Sequence, residues 1–538
     1  MIRTDTVSPN WTTPDYAMTM QLRIRFALTF LAVTGSPSLA GAQDAARVRA
    51  AVRSYSQAND TRILGELAEF LALPNLASDS VNIRRNARHI MRMLERRGIR
   101  TQLLEAPGSP PAVFGELRAP NATRTIVFYA HYDGQPVDTT QWTNAPWSPT
   151  LRTRMLTEGG TVIPLPTQPG TVQGEWRLYA RSAGDDKSPI IAFLAALDAL
   201  KTGGIPPSVN IKFFFEGEEE AGSEHARDML MRHKDLLAAD VWIFGDGPVH
   251  QSRRQQVVFG VRGVMGLELT LYGPNRALHS GHYGNWAPNP VAGMANLIAS
   301  MRDNDGRILI DRFYDDVSSP SRAERDAIAA APMIDSALRA DLMLAATEAG
   351  NAPLLERIML PALNVRGISG GAVGNLAAKA VATMARASID FRLVPNQAPA
   401  RVKSLVEAHA RKQGYFVVNR DPTPEERRTH ANVLKLQWED GYAASRADMS
   451  LPLSRAVVRA VEMGTGDRVI VLPTLGGSLP LEYFADVLKT PLITVPIVNH
   501  DNNQHAANEN LRLQNLFDGM QVYAGIVAHL GRLWTVSP

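Results

Sequence analysis

Apolar residues recur at roughly helical intervals from Val81 to Arg97 and again from Ile190 to Leu200, whereas Thr125 to Tyr129, Val209 to Phe215 and Val241 to Phe244 are short apolar runs closed by polar punctuation. The first pattern predicts helices with one buried face, and the second predicts buried strands. A polar, helix-compatible stretch covers Ala45 to Leu73, and Thr101 to Leu104 and Ala112 to Leu117 add strand candidates. Strands alternating with longer helices predict a doubly wound α/β sheet with helices on both faces. From about residue 264 the texture changes: strand patterns at Val264 to Tyr272, Ala387 to Leu393 and Val433 to Trp438 are interleaved with helix patterns at Pro290 to Met301 and Ala400 to Gln413. This predicts a smaller α+β domain, 264–445, inserted into a larger α/β domain whose halves are 43–263 and 446–538. Arg302 to Gly370 shows no clear period and is expected to contribute helices or a long interface loop. From Leu451 onward a helix, the strands Val469 to Leu472 and Leu492 to Pro496, and the helix Leu513 to Leu530 complete the larger domain.

The first residues carry a different signal. Arg23 and Arg25 precede the apolar run Phe26 to Val33, and Ala40 and Ala42 frame a cleavage site before Gln43. Residues 1–42 are therefore expected to be a leader with a signal peptide, and the mature protein to be exported, periplasmic or secreted; Met18 and Met20 are alternative starts. The run is far shorter than the roughly 20 residues that span a bilayer, and no later stretch is long and charge-free enough to predict a stable membrane span.

Composition narrows the chemistry. The 538 residues are 45% hydrophobic, too many for one ordinary domain and too apolar for a disordered chain. Lys plus Arg number 56 against 53 Asp plus Glu, dispersed along the chain, so no nucleic-acid partner is expected. There is no cysteine. Disulfides, thiolate nucleophiles and Cys-held metals are excluded, and any metal must be held by His, Asp and Glu.

Candidates of that kind stand at strand ends. His131 and Asp133 lie two residues apart just after the run ending at Tyr129, and so point to one side of an extended backbone. Asp185 follows Gly184 in a turn. Glu216 to Glu220 follow the apolar strand ending at Phe215, where open α/β sheets place their ligand crevices. Asp246 follows the run Val241 to Phe244, and His505 lies in the polar segment Asn499 to Glu509. Adjacent acids can divide the labour, one binding metal and the other moving protons.

These ordered segments resemble the M20 family of dinuclear zinc metallopeptidases, particularly its dipeptidase and carboxypeptidase branches. The resemblance implies that His131 and Asp246 bind one metal, that Glu220 and His505 bind the other, and that Asp185 bridges them. It implies that Asp133 orients His131, and that Glu219 is general base and then proton donor. Two divalent ions per subunit are expected, Zn²⁺ first, with Mn²⁺ or Co²⁺ compatible with the same donors. His279, in Leu278-His279-Ser280-Gly281-His282, matches a histidine that in related dimers reaches the partner's active site and stabilises the oxyanion. Gly477 and Ser478, in Gly476-Gly477-Ser478-Leu479-Pro480, resemble the family's substrate loop, and Arg366 is the candidate positive end of the pocket. Val381-Ala382-Thr383 occupies the neighbourhood where the dipeptidase pattern places an arginine, and Arg386 is out of register. The resemblance makes the larger domain catalytic and the smaller one a lid or dimerisation domain, and a homodimer through the smaller domain is expected. The implied reaction is hydrolysis of a peptide bond near a free chain end, in dipeptides or short peptides. The alternatives are an N-acyl-amino-acid amidohydrolase and a noncatalytic peptide-binding protein.

Overall fold

The structure, a computed structural model, describes residues 39–534. The signal read from Arg23, Arg25 and the run Phe26 to Val33 lies outside the described residues. The larger part of the molecule is built on an eight-stranded sheet in the order Arg100–Leu104, Ala112–Leu117, Asn210–Glu216, Thr125–His131, Val241–Phe244, Leu492–Thr494, Gln256–Val258, Ile470–Leu472. The four central strands, from Asn210–Glu216 to Leu492–Thr494, run parallel, so their C-terminal ends open on one edge.

Along Thr125–His131 the side chains alternate between two cores. Ile126, Phe128 and Ala130 pack with helices Leu39–Leu71, Lys187–Thr202, Pro452–Thr465 and Leu513–Leu533. Val127 and Tyr129 pack on the other face with Ala226–Arg232 and Leu481–Leu488. Burial on both faces is why the strand reads as a continuous apolar run. On the second face Phe484 fills the space among Tyr129, Phe214, Trp242 and Phe244, with ring centroids 5.3 to 6.2 Å away. The doubly wound α/β class expected from the sequence is the one observed.

The smaller part is a five-stranded sheet, ordered Ala362–Ser369, Met384–Leu393, Gly263–Tyr272, Val433–Trp438, Phe416–Val418. Helices Pro290–Met301 and Pro399–Lys412 cover one face. Within Met384–Leu393, Ala385, Ala387, Ile389, Phe391 and Leu393 are buried there, while Arg386, Ser388, Asp390 and Arg392 belong to the opposite, open face. The two connections to the larger part pair with each other, Gly260–Val261 antiparallel to Ser445–Arg446.

The segment Arg302 to Gly370 holds short helices such as Arg322–Ala330 and the edge strand Ala362–Ser369. That strand is bulged between Val365 and Gly367, and only its Leu363 is buried. It therefore has no alternation to read. Four more short strands, Thr150–Arg152, Val162–Ile163, Arg177–Tyr179 and Asn510–Arg512, form a small sheet beside the site.

Candidate metal centre

The predicted chemistry collects at the C-terminal edge of the parallel strands, where such sheets place their ligands. His131 ends Thr125–His131 and lies opposite Glu216, the end of Asn210–Glu216. Asp246 follows two residues after Val241–Phe244, and Glu219 and Glu220 open the 3₁₀ turn Glu219–Ala221 just beyond Glu216. Asp185 is presented from the turn between Arg177–Tyr179 and helix Lys187–Thr202, and its peptide bond to Asp186 is cis. His505 arrives from the loop ahead of Asn510–Arg512.

Two donor clusters result. The ligand atoms of His131, Asp185 and Asp246 lie within 4.8 Å of one another, and so do those of Asp185, Glu220 and His505. His131 Nε2 is 2.8 Å from Asp185 Oδ1 and 3.7 Å from Asp246 Oδ2. His505 Nε2 is 3.2 Å from Asp185 Oδ2 and 3.3 Å from Glu220 Oε2. Asp185 is common to both. Asp133, wholly buried, does more than face His131 Nδ1 at 3.4 Å. Its two oxygens accept the main-chain N–H groups of Glu219 (3.1 Å) and Glu220 (3.0 Å), so one carboxylate sets both the imidazole and the acidic turn. Asn75, also fully buried, donates to the Tyr132 carbonyl and to Ser182 Oγ, each at 2.8 Å, and ties the His131 strand end to the Asp185 turn.

The site is short of positive charge. Burial pushes the Glu219 carboxyl well above its usual range, and the charges of Asp246, Glu220 and Asp185 add to this. Burial followed by the charge of Asp185 pushes Glu220 up to about 8 and Asp246 up to about 7. Burial works against ionising Asp185 too, yet hydrogen bonds from His131 and His505 hold it well below the carboxylate range. Its hydrogen bond to Asp185 raises His505 to about 9. Burial disfavours the charged form of His131, but Asp133 and Asp185 overcome this and lift it well above 6.5. Carboxyl groups crowded this closely call for cations. Each cluster supplies one imidazole nitrogen and two carboxylate oxygens, a set that suits Zn²⁺ with a coordination position left for water or substrate and that Mn²⁺ and Co²⁺ also accept. The residues present fit two divalent ions sharing Asp185.

The remaining candidates lie on or against the lid. His279 ends the short strand Leu278–His279, is exposed, accepts the Gly281 N–H at 3.1 Å and has its ring 4.5 Å from that of His282. Among the described residues no hydrogen bond or ion pair joins it to the acidic clusters of its own chain. Arg366, the candidate positive end of the pocket, stands on the edge strand Ala362–Ser369. Its guanidinium is taken by Glu439 (2.7 Å) and Glu268 (3.1 Å) on the lid's own surface, half exposed to solvent.

The loop bearing Gly477 and Ser478 meets two other arginines. Arg262 donates through its main-chain N–H to the Gly477 carbonyl (3.2 Å) and through Nε to the Gly476 carbonyl (2.9 Å). Arg392 Nη1 donates to Ser478 Oγ at 2.8 Å, and Arg392 Nε to Asp390 at 3.1 Å. Burial and the nearby Arg392 charge push Arg262 down to about 10. The sequence reading sought a guanidinium around Val381 to Arg386 and missed Arg392; the polar alternation Arg386, Ser388, Asp390, Arg392 was the signal that would have found it.

A family model for peptidase family M20/M25/M40 matches residues 127–529, well over half of the chain. The chain belongs to this family. The M20 chain is 26% identical over 436 residues to a Cys-Gly metallodipeptidase of Schizosaccharomyces pombe, spanning 80% of this chain and 84% of that protein. It is 24% identical over 432 residues to the Beta-Ala-His dipeptidase of Homo sapiens, spanning 79% and 78%. Its fold is similar to that of an M20 family metallo-carboxypeptidase from Sulfolobus solfataricus, with a TM-score of 0.70 and 26% identity over 87% of this chain and 99% of that one. Membership together with the paired donor clusters makes this M20 chain a metal-dependent peptidase.

Proposed function

We propose that the protein is a metal-dependent exopeptidase that hydrolyses dipeptides or short peptides carrying a free C-terminal carboxylate. The observation that carries this reading is the guanidinium of Arg392, held on Ser478 of the glycine-rich loop that Arg262 also binds, with Asp390 as its carboxylate partner among the described residues. An arginine fork suits a substrate carboxylate. The names of the relatives, a Cys-Gly metallodipeptidase and a Beta-Ala-His dipeptidase, support short peptides as substrates.

Two divalent ions held by His131, Asp185, Asp246, Glu220 and His505 would supply Lewis acidity to the scissile carbonyl and to water. Glu219 belongs to neither donor cluster and is free to move protons. It accepts the proton of the attacking water and delivers it to the departing amine, a task suited to a carboxyl whose proton affinity burial has raised. Asp133 keeps it in place through the main chain. Arg392 and the Gly477–Ser478 loop hold the substrate's far end, which aligns its carbonyl.

Two copies associate through the lid in this reading. The edge strand Ala362–Ser369 is paired on one side only, and Trp286, Val373 and Leu376 are 78%, 88% and 82% exposed. His279 would then reach the partner's cleft and stabilise the oxyanion. The basic and then apolar leader supports export, periplasmic or secreted. Among the described residues no helix is long and apolar enough to cross a membrane. The dispersed net charge of +3 supports small molecules rather than nucleic acid as partners.

The test is a stripped enzyme resupplied with Zn²⁺, Mn²⁺ or Co²⁺ and given dipeptides, their C-terminal amides, longer peptides and N-acyl amino acids, with products identified by mass spectrometry. Metal-dependent cleavage of free-acid dipeptides with at least tenfold loss on amidation is expected. Equal cleavage of amides removes the carboxylate anchor. Cleavage confined to N-acyl amino acids, or no turnover by folded, metal-loaded protein, overturns the exopeptidase reading.

A further inference from the structure

The loop that carries His505 is an arch with both feet fastened to the segment that carries Asp185. At the first foot Arg177 makes two parallel bonds to Asp501, 2.9 and 2.8 Å. Above it Asn510–Arg512 pairs antiparallel with Arg177–Tyr179. At the second foot stands Glu509, fully buried. Its Oε2 accepts from Arg181 Nη1 (2.7 Å) and from the Ser182 N–H (3.0 Å). Its Oε1 accepts from the main-chain N–H groups of Gly184 (2.8 Å) and Asp185 (2.9 Å). Its carbonyl accepts the Ala180 N–H at 3.1 Å. The arch packs so closely on the turn that a Cβ on Gly184 would fall 3.0 Å from the Asn502 side chain.

A counter-ion for Arg181 would need one oxygen. Glu509 spends the other entirely on the two amides that orient Asp185, a residue 324 positions away in the chain. The same residue closes the loop whose tip holds His505. A buried carboxylate with four N–H donors is held firmly, because each bond is charge-assisted and unscreened by water.

We propose that Glu509 is a positioning residue that couples the two halves of the metal centre, fixing the main chain of the shared Asp185 against the His505 arch. This rests on the reading of the two donor clusters as a dinuclear site. Loss of the Oε1 contacts loosens the Asp185–Glu220–His505 cluster, which is held together by loops, and leaves His131 and Asp246 on their strand ends.

Metal titration of the stripped protein with Zn²⁺ against a competing chelator tests this, alongside circular dichroism and the Tm of the metal-free form. Glu509→Gln places an NH₂ against N–H donors whichever way it turns. Glu509→Asp keeps the charge for Arg181 but falls a methylene short of the turn. Arg181→Met removes the buried counter-charge and leaves Oε1 on Gly184 and Asp185. The expected result is that both Glu509 variants bind the second ion at least tenfold more weakly and weaken the first, which also draws on Asp185, by less. Arg181→Met is expected to lower the Tm while keeping two ions. If Glu509→Asp binds both ions as the wild type does, or if Arg181→Met loses the second ion to the same degree, the positioning role is overturned. Wild-type protein that takes up fewer than two ions overturns the dinuclear reading and this inference with it.

Discussion

The two halves of the metal centre share Asp185 yet are built in opposite ways. His131 and Asp246 stand at or just beyond the ends of neighbouring parallel strands, with side chains 0% and 4% exposed. Glu220 comes from a 3₁₀ turn and His505 from an arch whose residues Asn503, His505 and Asn508 all have positive φ, and the His505 side chain is 59% exposed. One half is set by the ladder of the sheet and survives as long as the core does. The other is assembled from loops by hydrogen bonds and is free to adjust, as loops on a rigid scaffold commonly are. The rigid half is expected to hold its ion tightly, and the adaptable half to exchange its ion and accommodate the reacting carbonyl.

The largest effect should fall on neither half. Glu219→Gln keeps every donor of both clusters and removes the proton carrier, so activity should drop by about 10²–10⁴-fold with two ions still bound, as measured by turnover beside metal content. Loss of an ion in this variant would place Glu219 among the ligands and erase the division between binding and proton transfer. The comparison itself is sharpened by two imidazole deletions. His505→Ala should leave one tightly bound ion and an unchanged fold. His131→Ala should lose the first ion and destabilise the core edge as well. In each case the affected ion should weaken by at least about 100-fold, more than is usual when a residue that merely hydrogen-bonds a ligand is removed. Identical metal losses in the two variants would show that the halves are one cooperative unit.

The same contrast governs how much could be read from the chain. His131, Glu219, Glu220 and Asp246 announce themselves because polar residues follow directly on apolar runs, and a run that breaks at a strand end points at a crevice. Asp185 and His505 have no such local marker. They sit in turns 320 residues apart, and only their order relative to the other motifs, through the family resemblance, links them. Glu509 was visible as a letter beside His505, but a glutamate in a polar segment ordinarily faces water. Its burial depends on N–H groups donated from residues 182–185. The edge strand Ala362–Ser369 was missed because its side chains are mostly exposed, and the ion-pair partners of its Arg366 lie far off in the chain, at residues 268 and 439.

A third way to probe the comparison uses protons. A carboxyl with a folded pKa above its unfolded value supports folding at low pH and withdraws that support as pH rises through the interval between the two values. Glu220, raised from 4.5 to about 8, and Asp246, raised from 3.8 to about 7, both act this way. His505, raised from 6.5 to about 9, and His131, also raised, add stability at low pH that is lost as pH climbs. Asp185, held low, acts in the opposite sense only in acid, below its ordinary 3.8. Metal-free protein should therefore lose Tm steadily between about pH 5 and 9, by roughly 2–4 °C for each kcal/mol lost in a domain of 150–250 residues. Bound ions replace those protons and should flatten the slope. His505→Ala should remove its share of the slope between about pH 6.5 and 9 and leave the slope below pH 6.5, which Glu220 and Asp246 supply. A metal-free Tm that rises with pH over this range would mean that the acids are not crowded as described.

The smallest expected effect separates the loops most finely. Gln504 Nε2 donates to Asp185 Oδ2 at 2.9 Å, and Gln135 Nε2 donates to Glu220 Oε2 at 2.8 Å, so each carboxylate of the adaptable half is steadied by a neutral amide. Among the described residues Asp246 receives no equivalent side-chain amide bond. A hydrogen bond of this kind contributes about 0.5–1.5 kcal/mol, which corresponds to roughly two- to tenfold in affinity. Gln504→Ala and Gln135→Ala should each weaken the second ion within that range, leave the first unaffected, and keep the Tm of the metal-free protein within a degree or two. Gln504→Ala touches the shared Asp185, whereas Gln135→Ala touches only Glu220. A first ion that weakens in the former and not in the latter would show that the adaptable half reaches the rigid one through the bridging carboxylate.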